Sequence, residues 1–214
     1  MSDHCPACGP GFLHWVSADP LRQAAWLALP RRALAPGEVL QVVGQPLGAV
    51  WFVEQGLLRS HFLNPDGRER TSAFHAEWQW AGLPPQRGAA AAAATCAIDA
   101  LERSHVVTLD HAALHAWLQQ QPALQSTLTD ALLANLLALS RRQSALMMDS
   151  AEQRYRQFLA EQPALAERVT LHHVASYLGI TNVALSRVRR RMRGSPAAPS
   201  AGAGAAPGHG PVKP

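Results

Sequence analysis

Apolar and polar residues alternate with two different periods along the chain. From residue 31 to about residue 109, short apolar or alternating runs are separated by turn residues, a pattern typical of an antiparallel β-roll or sandwich. The predicted strands cover residues 39–43, 49–53, 57–63, 68–74 and 104–109. The clearest turn is residues 64–67, Asn-Pro-Asp-Gly, because proline presets φ and glycine accepts a positive φ.

The segment between the fourth and the last predicted strand is less regular. Trp78 and Trp80 suit the face of a strand, and residues 82–85 break the pattern. Six alanines follow at residues 89–94, too short a run for a stable isolated helix, so this part is predicted to be a compact connection.

Helical periodicity frames and follows the roll. Residues 21–29 predict a short helix that Pro30 ends, and residues 110–121 predict a helix capped by Asp110. Residues 151–162 predict a third helix, capped by Ser150.

Residues 122–149 predict one long helix that begins at Pro122. Its leucines form two stripes: Leu128, Leu132, Leu136, Leu139 and Leu146 in one, Leu133 and Leu137 in the other. One small domain does not cover both stripes, so one of them is expected to contact a second copy of the chain. The alternative is a helix fully buried within a monomer.

Residues 168–193 predict a helix-turn-helix. Gly179 ends the first helix, Ile180 fills the corner, and Thr181 supplies an N-cap hydroxyl for the second helix. The inward positions are Val174, Ala175 and Leu178 in the first helix and Leu185, Val188 and Met192 in the second.

Positive charge is concentrated in this same segment. Residues 168–193 hold six arginines and no acidic residue, whereas residues 1–167 hold 12 arginines against 15 carboxylates, a balance of −3. The outward face of the second helix carries Asn182, Val183, Ser186, Arg187 and Arg190. A charged helix face is often merely solvated, but such a face normally mixes signs, so DNA is the favoured partner.

The N-terminal residues suggest a metal or redox role without establishing one. His4, Cys5, Cys8 and His14 lie close together, and a Cys-x-x-Cys pair is able to bind zinc. There is one such pair in a segment rich in proline and glycine, and Cys96 is distant. Residues 1–19 are therefore predicted to be flexible, with no bound metal and no cofactor, and Cys5 and Cys8 remain the candidate ligands.

Composition narrows the class of protein. A chain of 214 residues with 48% hydrophobic content has room for one large domain or two small ones. No run approaches the roughly 18 apolar residues of a membrane span, and three cysteines argue against a disulfide framework, so a cytoplasmic protein without a membrane partner is expected. Residues 194–214 are dominated by glycine, proline, alanine and serine and are predicted to be disordered.

The order of these parts resembles the CRP/FNR superfamily of bacterial transcription regulators. The likeness covers about residues 20–193 and is strongest in ASYLGIT and LSRVRRR of the helix-turn-helix. It implies an α+β fold with a cyclic-nucleotide-binding-like β-roll (jelly roll) over residues 20–121, a dimerisation helix over 122–149 and a winged-helix-type domain over 150–193. The usual wing is expected to be missing, because the ordered chain is predicted to stop after the second helix.

The resemblance carries over unevenly to the effector site. Nucleotide-binding members hold the ribose and the cyclic phosphate with a Gly-Glu pair and an Arg-Ser pair. Here Gly82 is followed by Leu83, and the Arg-Ser position falls near Ala94-Thr95, although a different gap placement would bring in Arg87. A degenerate effector pocket is therefore expected, and cyclic AMP is not the predicted ligand.

The iron-sulfur branch of the family uses an N-terminal cysteine cluster and one further cysteine in the last strand of the roll. Cys5 and Cys8 lack a third nearby cysteine, and Val107 occupies the strand position. Cys96 would have to substitute from a neighbouring segment, so an iron-sulfur sensor is not expected.

Residue roles on DNA transfer better. The resemblance implies base reading by Asn182, Val183, Ser186 and Arg187, with Arg187 as a donor to guanine and Val183 where well-known members carry a glutamate. The residues expected at phosphates are Thr181, Arg189, Arg190, Arg191 and Arg193.

The sequence thus predicts a homodimeric, sequence-specific DNA-binding transcription regulator, not an enzyme, with double-stranded DNA and RNA polymerase as partners. One alternative is a regulator switched by metal or oxidation through Cys5 and Cys8. Another is a small enzyme that uses cysteine or histidine, although no serine nucleophile elbow, phosphate loop or His-Glu-x-x-His helix is present.

Overall fold

The computed structural model of the chain describes residues 10–83, 92–120 and 122–194. The strands in these ranges are β1 (Arg31–Leu34), β2 (Val39–Gln41), β3 (Ala49–Gln55), β4 (Leu58–Leu63), β5 (Glu69–His75), β6 (Trp80–Ala81), β7 (Ala97–Ala100) and β8 (Ser104–Asp110). The helices are α1 (Pro10–Ser17), α2 (Pro20–Leu27), α3 (His111–Gln120), α4 (Pro122–Met148), α5 (Ala151–Glu161), α6 (Pro163–Arg168), α7 (Leu171–Tyr177) and α8 (Asn182–Gly194).

The strands form the predicted antiparallel β-roll. One four-stranded sheet has the order β1-β8-β3-β6, the other the order β2-β7-β4-β5, and every pairing between these strands is antiparallel. The two sheets enclose an apolar core in which Val53 and Val106 of the first sheet meet Leu58 and Ile98 of the second, all four fully buried. Burial of these side chains holds the two sheets together.

All five predicted strands are present, as β2, β3, β4, β5 and β8. The strands β1, β6 and β7 were not predicted, because β1 begins with two exposed arginines, β6 has two residues, and β7 carries Asp99 in its centre. The assignment of Trp78 to a strand face is wrong: it has a φ of 69° and lies before β6, whereas Trp80 lies within it.

The hairpin turn between β4 and β5 is confirmed. The backbone N–H of Gly67 donates to the carbonyl of Asn64 at 2.9 Å, and Gly67 has a φ of 76°. The side chain of Asn64 adds a second closure, since its Oδ1 accepts from the N–H of Arg68 at 2.7 Å.

The prediction that residues 1–19 are flexible is wrong for residues 10–17, which form α1. Phe12 and Val16 of this helix are almost fully buried, and the ring of Phe12 lies 5.2 Å from that of Trp26 and 5.4 Å from that of Phe52. Burying two apolar side chains one helical turn apart outweighs the proline and glycine content that suggested flexibility. Cys5 and Cys8 lie outside the described residues.

The long helix α4 has the predicted extent, and the predicted caps are present at its neighbours. Asp110 Oδ1 accepts from the N–H of Ala113 before α3, and Ser150 forms a capping box with Gln153 at the start of α5. Much of the apolar surface of α4 lies open, with Leu136 and Leu137 about 60% exposed.

The helix-turn-helix does not stand apart from the roll. Leu57 and Phe74 of the roll belong to the same buried cluster as Val174, Leu178 and Leu185. The helix-turn-helix and the two helices before it therefore share a buried core with the β-roll. Gly194, expected to begin the tail, is the last residue of α8, and the expectations for the tail and the wing concern residues outside the described ranges.

Within the described residues, no helix combines the length and the apolar composition that crossing a membrane requires.

The turn between β3 and β4 depends on Gly56, and Gly37 provides a matched control. Gly56 has a φ of 99°, and an added Cβ would lie 2.7 Å from the carbonyl oxygen of Arg103, whereas Gly37 has a φ of 81° and open space around it. Gly56→Ala is expected to lower the free energy of unfolding by about 2–5 kcal/mol, through backbone strain and overlap together. Gly37→Ala should lower it by about 1 kcal/mol, through backbone strain alone.

Urea denaturation of both variants measures the difference. Equal losses in the two variants would show that the close approach at Gly56 contributes nothing.

Candidate nucleic-acid interface

Two short helices joined by a tight turn form the candidate interface. Gly179, with a φ of 68°, ends α7, and the N–H of Ile180 donates to the carbonyl of Ala175 at 3.0 Å. Thr181 then caps α8, since its Oγ1 accepts from the N–H of Ala184 at 3.2 Å. The turn and the cap are those that the sequence predicts.

The inner face of α8 fixes its position. Leu185 and Val188 are 1% exposed and pack in the cluster that holds Val174 and Ala175 of α7. Because these two residues point inward, the opposite face of the helix is turned to solvent. It carries Asn182, Val183, Ser186, Arg187 and Arg190, all of them exposed.

The charge on this face is largely unneutralised. The helix contains no acidic residue, and in the described part of the chain no carboxylate pairs with Arg187, Arg189, Arg190 or Arg193. Arg191 differs, because its Nε lies 3.8 Å from Glu152 Oε2 of α5. A face with free guanidinium groups and no carboxylate suits a polyanion.

One residue beside this face was not predicted. His172, the second residue of α7, places its Nδ1 3.2 Å from the amide nitrogen of Asn182. The signal in the sequence is the His172-His173 pair in the first turn after the cap residue Thr170. His172 extends the polar face of α8 onto the start of α7.

Arg168 attaches the helix-turn-helix to the roll by ion pairs. Its guanidinium donates to both carboxylate oxygens of Glu77, at 2.8 and 2.9 Å, and to Glu102 Oε1 at 2.5 Å. Chiefly because of the hydrogen bonds from Arg168, the pKa of Glu77 falls to about 2. Although the sequence counts Arg168 with the basic segment, its charge is neutralised at this contact.

A second polar contact is centred on Arg59, which is 3% exposed. Its guanidinium donates to both oxygens of Asp99, at 2.9 and 2.7 Å, lies 2.8 Å from Glu69 Oε2, and lies 3.0 Å from Nδ1 of His173. Burial, and next the charge of Arg59, lower the pKa of His173. Arg59 thereby joins two carboxylates of the roll to α7 of the helix-turn-helix.

The expected effector region is described in part. Gly82 has a φ of 93°, and an added Cβ would lie 3.2 Å from the ring of Trp51. Ala94 is 3% exposed and its backbone pairs with Gly44 and Gln45, at 2.8 and 2.7 Å. Arg87, the residue that a different gap placement would bring in, lies outside the described residues.

The cysteine and histidine side chains within the described ranges are spread over the fold and do not gather at one centre. Cys96 is half-buried with a free thiol whose pKa is raised by burial, and its carbonyl accepts from Gln41. Val107 is fully buried in β8, beside Phe12 and Trp26. The described residues contain no group of three or more histidine, cysteine, aspartate or glutamate side chains placed to hold a metal ion.

No family model and no curated protein sequence matches the chain. Solved structures do match it over most of its length. FixK2 from Bradyrhizobium japonicum is 20% identical, with a TM-score of 0.67, and the match covers 78% of this chain and 85% of FixK2. The regulator CLP from Xanthomonas campestris is 16% identical, with a TM-score of 0.67, and covers 80% of this chain and 90% of its own.

A protein of the CRP/FNR family from Eubacterium rectale is 15% identical, with a TM-score of 0.65, and the match covers 84% of this chain and 85% of that protein. The chain has the CRP/FNR fold. At these identities the likeness concerns the fold, and it confirms the α+β architecture of β-roll, long helix and helix-turn-helix that the sequence resemblance implied. Within the CRP/FNR fold, the roles assigned to individual residues on DNA stay predictions.

The Glu77–Arg168 ion pair makes the contact between the roll and the helix-turn-helix depend on pH. The pKa of Glu77 falls from 4.5 to about 2 in the folded chain, so its stabilising effect is present above pH 4.5 and is lost as the pH falls towards 2. Glu77→Gln is expected to lower the free energy of unfolding by about 1 kcal/mol at pH 7, and by progressively less below pH 4.5.

Glu167→Gln is the charge-matched control, because Glu167 is the exposed neighbour of Arg168 in α6. Chemical denaturation of both variants at several pH values between 7 and 3 tests the pair. A Glu77→Gln loss that stays constant across this range would contradict the ion-pair account.

Proposed function

We propose that the protein is a homodimeric, sequence-specific DNA-binding transcription regulator of the CRP/FNR type, with a degenerate effector pocket. The observation that supports it best is the outer face of α8, which is exposed, free of acidic residues and rigidly supported by Leu185 and Val188. A helix held in this way fits the major groove of DNA. Such a regulator is a binding protein rather than an enzyme, and its effect on transcription would involve RNA polymerase.

Base reading is assigned to Asn182, Val183, Ser186 and Arg187. Arg187 is the natural bidentate donor to guanine O6 and N7. Val183, 61% exposed, offers a methyl contact to thymine and no acceptor for cytosine. The preferred half-site therefore differs from that of relatives with a glutamate at this position.

Phosphate contacts are assigned to Thr181, Arg189, Arg190, Arg191 and Arg193. These residues lie at the start and along the flank and end of α8, and they supply affinity without sequence information. Arg191 has to exchange Glu152 for a phosphate, and at 3.8 Å the existing pair is loose enough for that exchange.

Dimerisation is assigned to α4. Leu132, Leu133, Leu136 and Leu137 are 44–62% exposed, and Met147 is 73% exposed. Exposed apolar residues on one long helix are stabilised by packing against the same helix of a second copy. A two-fold dimer also presents two α8 helices to two half-sites.

The effector pocket is proposed to be degenerate because the positions of a phosphate clamp carry other residues. Leu83 follows Gly82, and the buried Ala94 with Thr95 stands where the Arg-Ser pair is expected. Neither side chain carries a charge for a cyclic phosphate.

Arg187→Ala tests base reading, with Arg189→Ala as the matched control. A binding site is first selected from random duplexes, and affinity is then measured on that site and on random DNA at two salt concentrations. Arg187→Ala is expected to cost about 1–3 kcal/mol on the selected site and to relax the base preference at one position. Arg189→Ala should weaken binding to both DNAs equally and reduce the salt dependence.

If Arg187→Ala weakens both DNAs to the same extent, Arg187 is a phosphate contact and the assignment is wrong.

Leu136→Glu tests the dimer. A glutamate in an apolar helix pair is buried without a partner, so the dimer dissociation constant is expected to rise at least about 100-fold. Ala134→Glu places the same charge on an exposed position on the other side of α4, since two residues turn a helix by about 200°, and should leave the dimer intact. Sedimentation velocity over a concentration series measures both, and a Leu136→Glu variant that sediments as the unchanged protein does would remove α4 as the interface.

A further inference from the structure

A cavity of about 350 Å³ lies where the roll, the long helix and the helix-turn-helix meet. Its wall comes from β5, the C-terminal half of α4, α5, and the end of α7. The volume is in the range of small-molecule sites. The described residues at the expected nucleotide clamp, Gly82, Leu83, Ala94 and Thr95, do not line this cavity, and neither do Leu133, Leu137 and Met147 of α4.

Cations dominate the lining of this cavity. Arg141, Arg142 and Arg154 face one acidic side chain, Glu161, which gives a balance of three positive charges to one negative. In the described residues none of the three arginines has a carboxylate partner, and Glu161 accepts instead from Gln157. The cavity therefore carries a net positive potential that the described chain leaves uncompensated.

Arg142 is held in place although its charge is not neutralised. Its guanidinium donates to the backbone carbonyls of Thr71 and Tyr177, at 3.0 and 2.9 Å, and to that of Ser72, and it stacks on the ring of Tyr177 at 4.0 Å. Desolvation by burial lowers its pKa. A fixed, desolvated cation interacts strongly with an anion placed beside it.

Two buried polar atoms of lining residues have no partner among the residues that the structure describes. Nε of Arg154 and Oε1 of Gln162 are buried without a hydrogen bond, while Nη1 of Arg154 donates to the carbonyl of Asp149 at 2.8 Å. Both atoms are enclosed by the protein, so they lie behind the cavity wall and the charge on its lining is what an anion would meet. Apolar side chains complete the wall, among them Leu139, Leu146 and Phe158.

We propose that this cavity binds a small organic anion. Its carboxylate or phosphate group lies in the field of Arg141, Arg142 and Arg154, and its apolar body packs on Leu139, Leu146 and Phe158. Since the ligand contacts α4 and β5 on one side and α5 and α7 on the other, it stabilises the docked position of the helix-turn-helix. The consequence for DNA rests on the proposed function, but binding to the cavity does not.

Calorimetry on the full chain without DNA tests the site, with benzoate and phenyl phosphate as probes. Benzyl alcohol is the neutral match, and inorganic phosphate is the anion without an apolar body. At least one of the two aromatic anions is expected to bind saturably, one per chain, and at least about tenfold more tightly than benzyl alcohol and inorganic phosphate. The anion that binds with the lower dissociation constant shows whether the site prefers a carboxylate or a phosphate.

Two variants locate the binding. Arg154→Gln removes one of the three positive charges of the lining, and should weaken binding about tenfold or more. Ala145→Leu keeps every charge but narrows the cavity with a larger apolar side chain, and should weaken binding about tenfold or more. Arg156→Gln, an exposed arginine on the same helix α5, should bind as the unchanged protein does.

Absence of saturable binding by either anion would overturn the proposal. So would binding that Ala145→Leu leaves unchanged, because the anion then sits on an exposed basic surface such as α8. Circular dichroism of each variant verifies that it is folded. Because Ala145→Leu and Arg154→Gln act by different means, one folded variant of the two is enough to show whether the anion binds in the cavity. If the unchanged protein binds the anion but no DNA, the proposed function is wrong and the anion site stands.

Discussion

The contact between the rings of Phe74 and Tyr177, 5.3 Å apart, lies at the centre of the structure. Phe74 belongs to the roll and Tyr177 to the first helix of the helix-turn-helix, and a third ring, Phe158 of α5, lies 5.7 Å from Tyr177. The apolar cluster around these rings continues to Leu185 and Val188 of α8. The position of α8 relative to the roll therefore depends on the same burial that folds the helix-turn-helix itself.

Electrostatics around this cluster divide the arginines into two groups. Arg59 and Arg168 lie against carboxylates of the roll, which they hold in bidentate pairs. The guanidinium groups along α8 face solvent, and the one pair there, from Arg191 to Glu152, is the longest of the described arginine–carboxylate pairs. The carboxylates where the roll contacts the helix-turn-helix are thus paired with Arg59 and Arg168, and α8 stays positively charged. Packing of the helix-turn-helix on the roll and binding of an anionic partner therefore use different arginines.

Local signals in the sequence predict most of this fold. Alternation and turn residues place five strands, Gly179 and Thr181 place the turn and the cap of the helix-turn-helix, and the spacing of Leu185 and Val188 predicts which face of α8 is buried. The exposed set from Asn182 to Arg190 follows from that spacing. These features depend on a few neighbouring residues, which is why the sequence carries them.

What the sequence does not predict depends on residues far apart in the chain. Helix α1 is ordered by Trp26 and Phe52, and Glu77 meets Arg168 across 91 positions. The same limit applies to the cavity, whose cations belong to α4 and α5 and acquire their setting from β5 and α7. Such pairs have no local pattern, and they become visible when the two segments lie together.

The docked arrangement also bears on how the proposed regulator would be controlled. The outer face of α8 is exposed while α7 is packed on β5, so docking does not hide the proposed base readers. Packing of α7 on β5 therefore does not itself cover α8. In a dimer formed through α4, the distance between two α8 helices follows from the angle at which each docks, and half-sites on DNA are spaced by about one helical turn of 34–36 Å. A ligand bound at the junction of β5, α4 and α7, as proposed, would act on that distance by stabilising one docking angle.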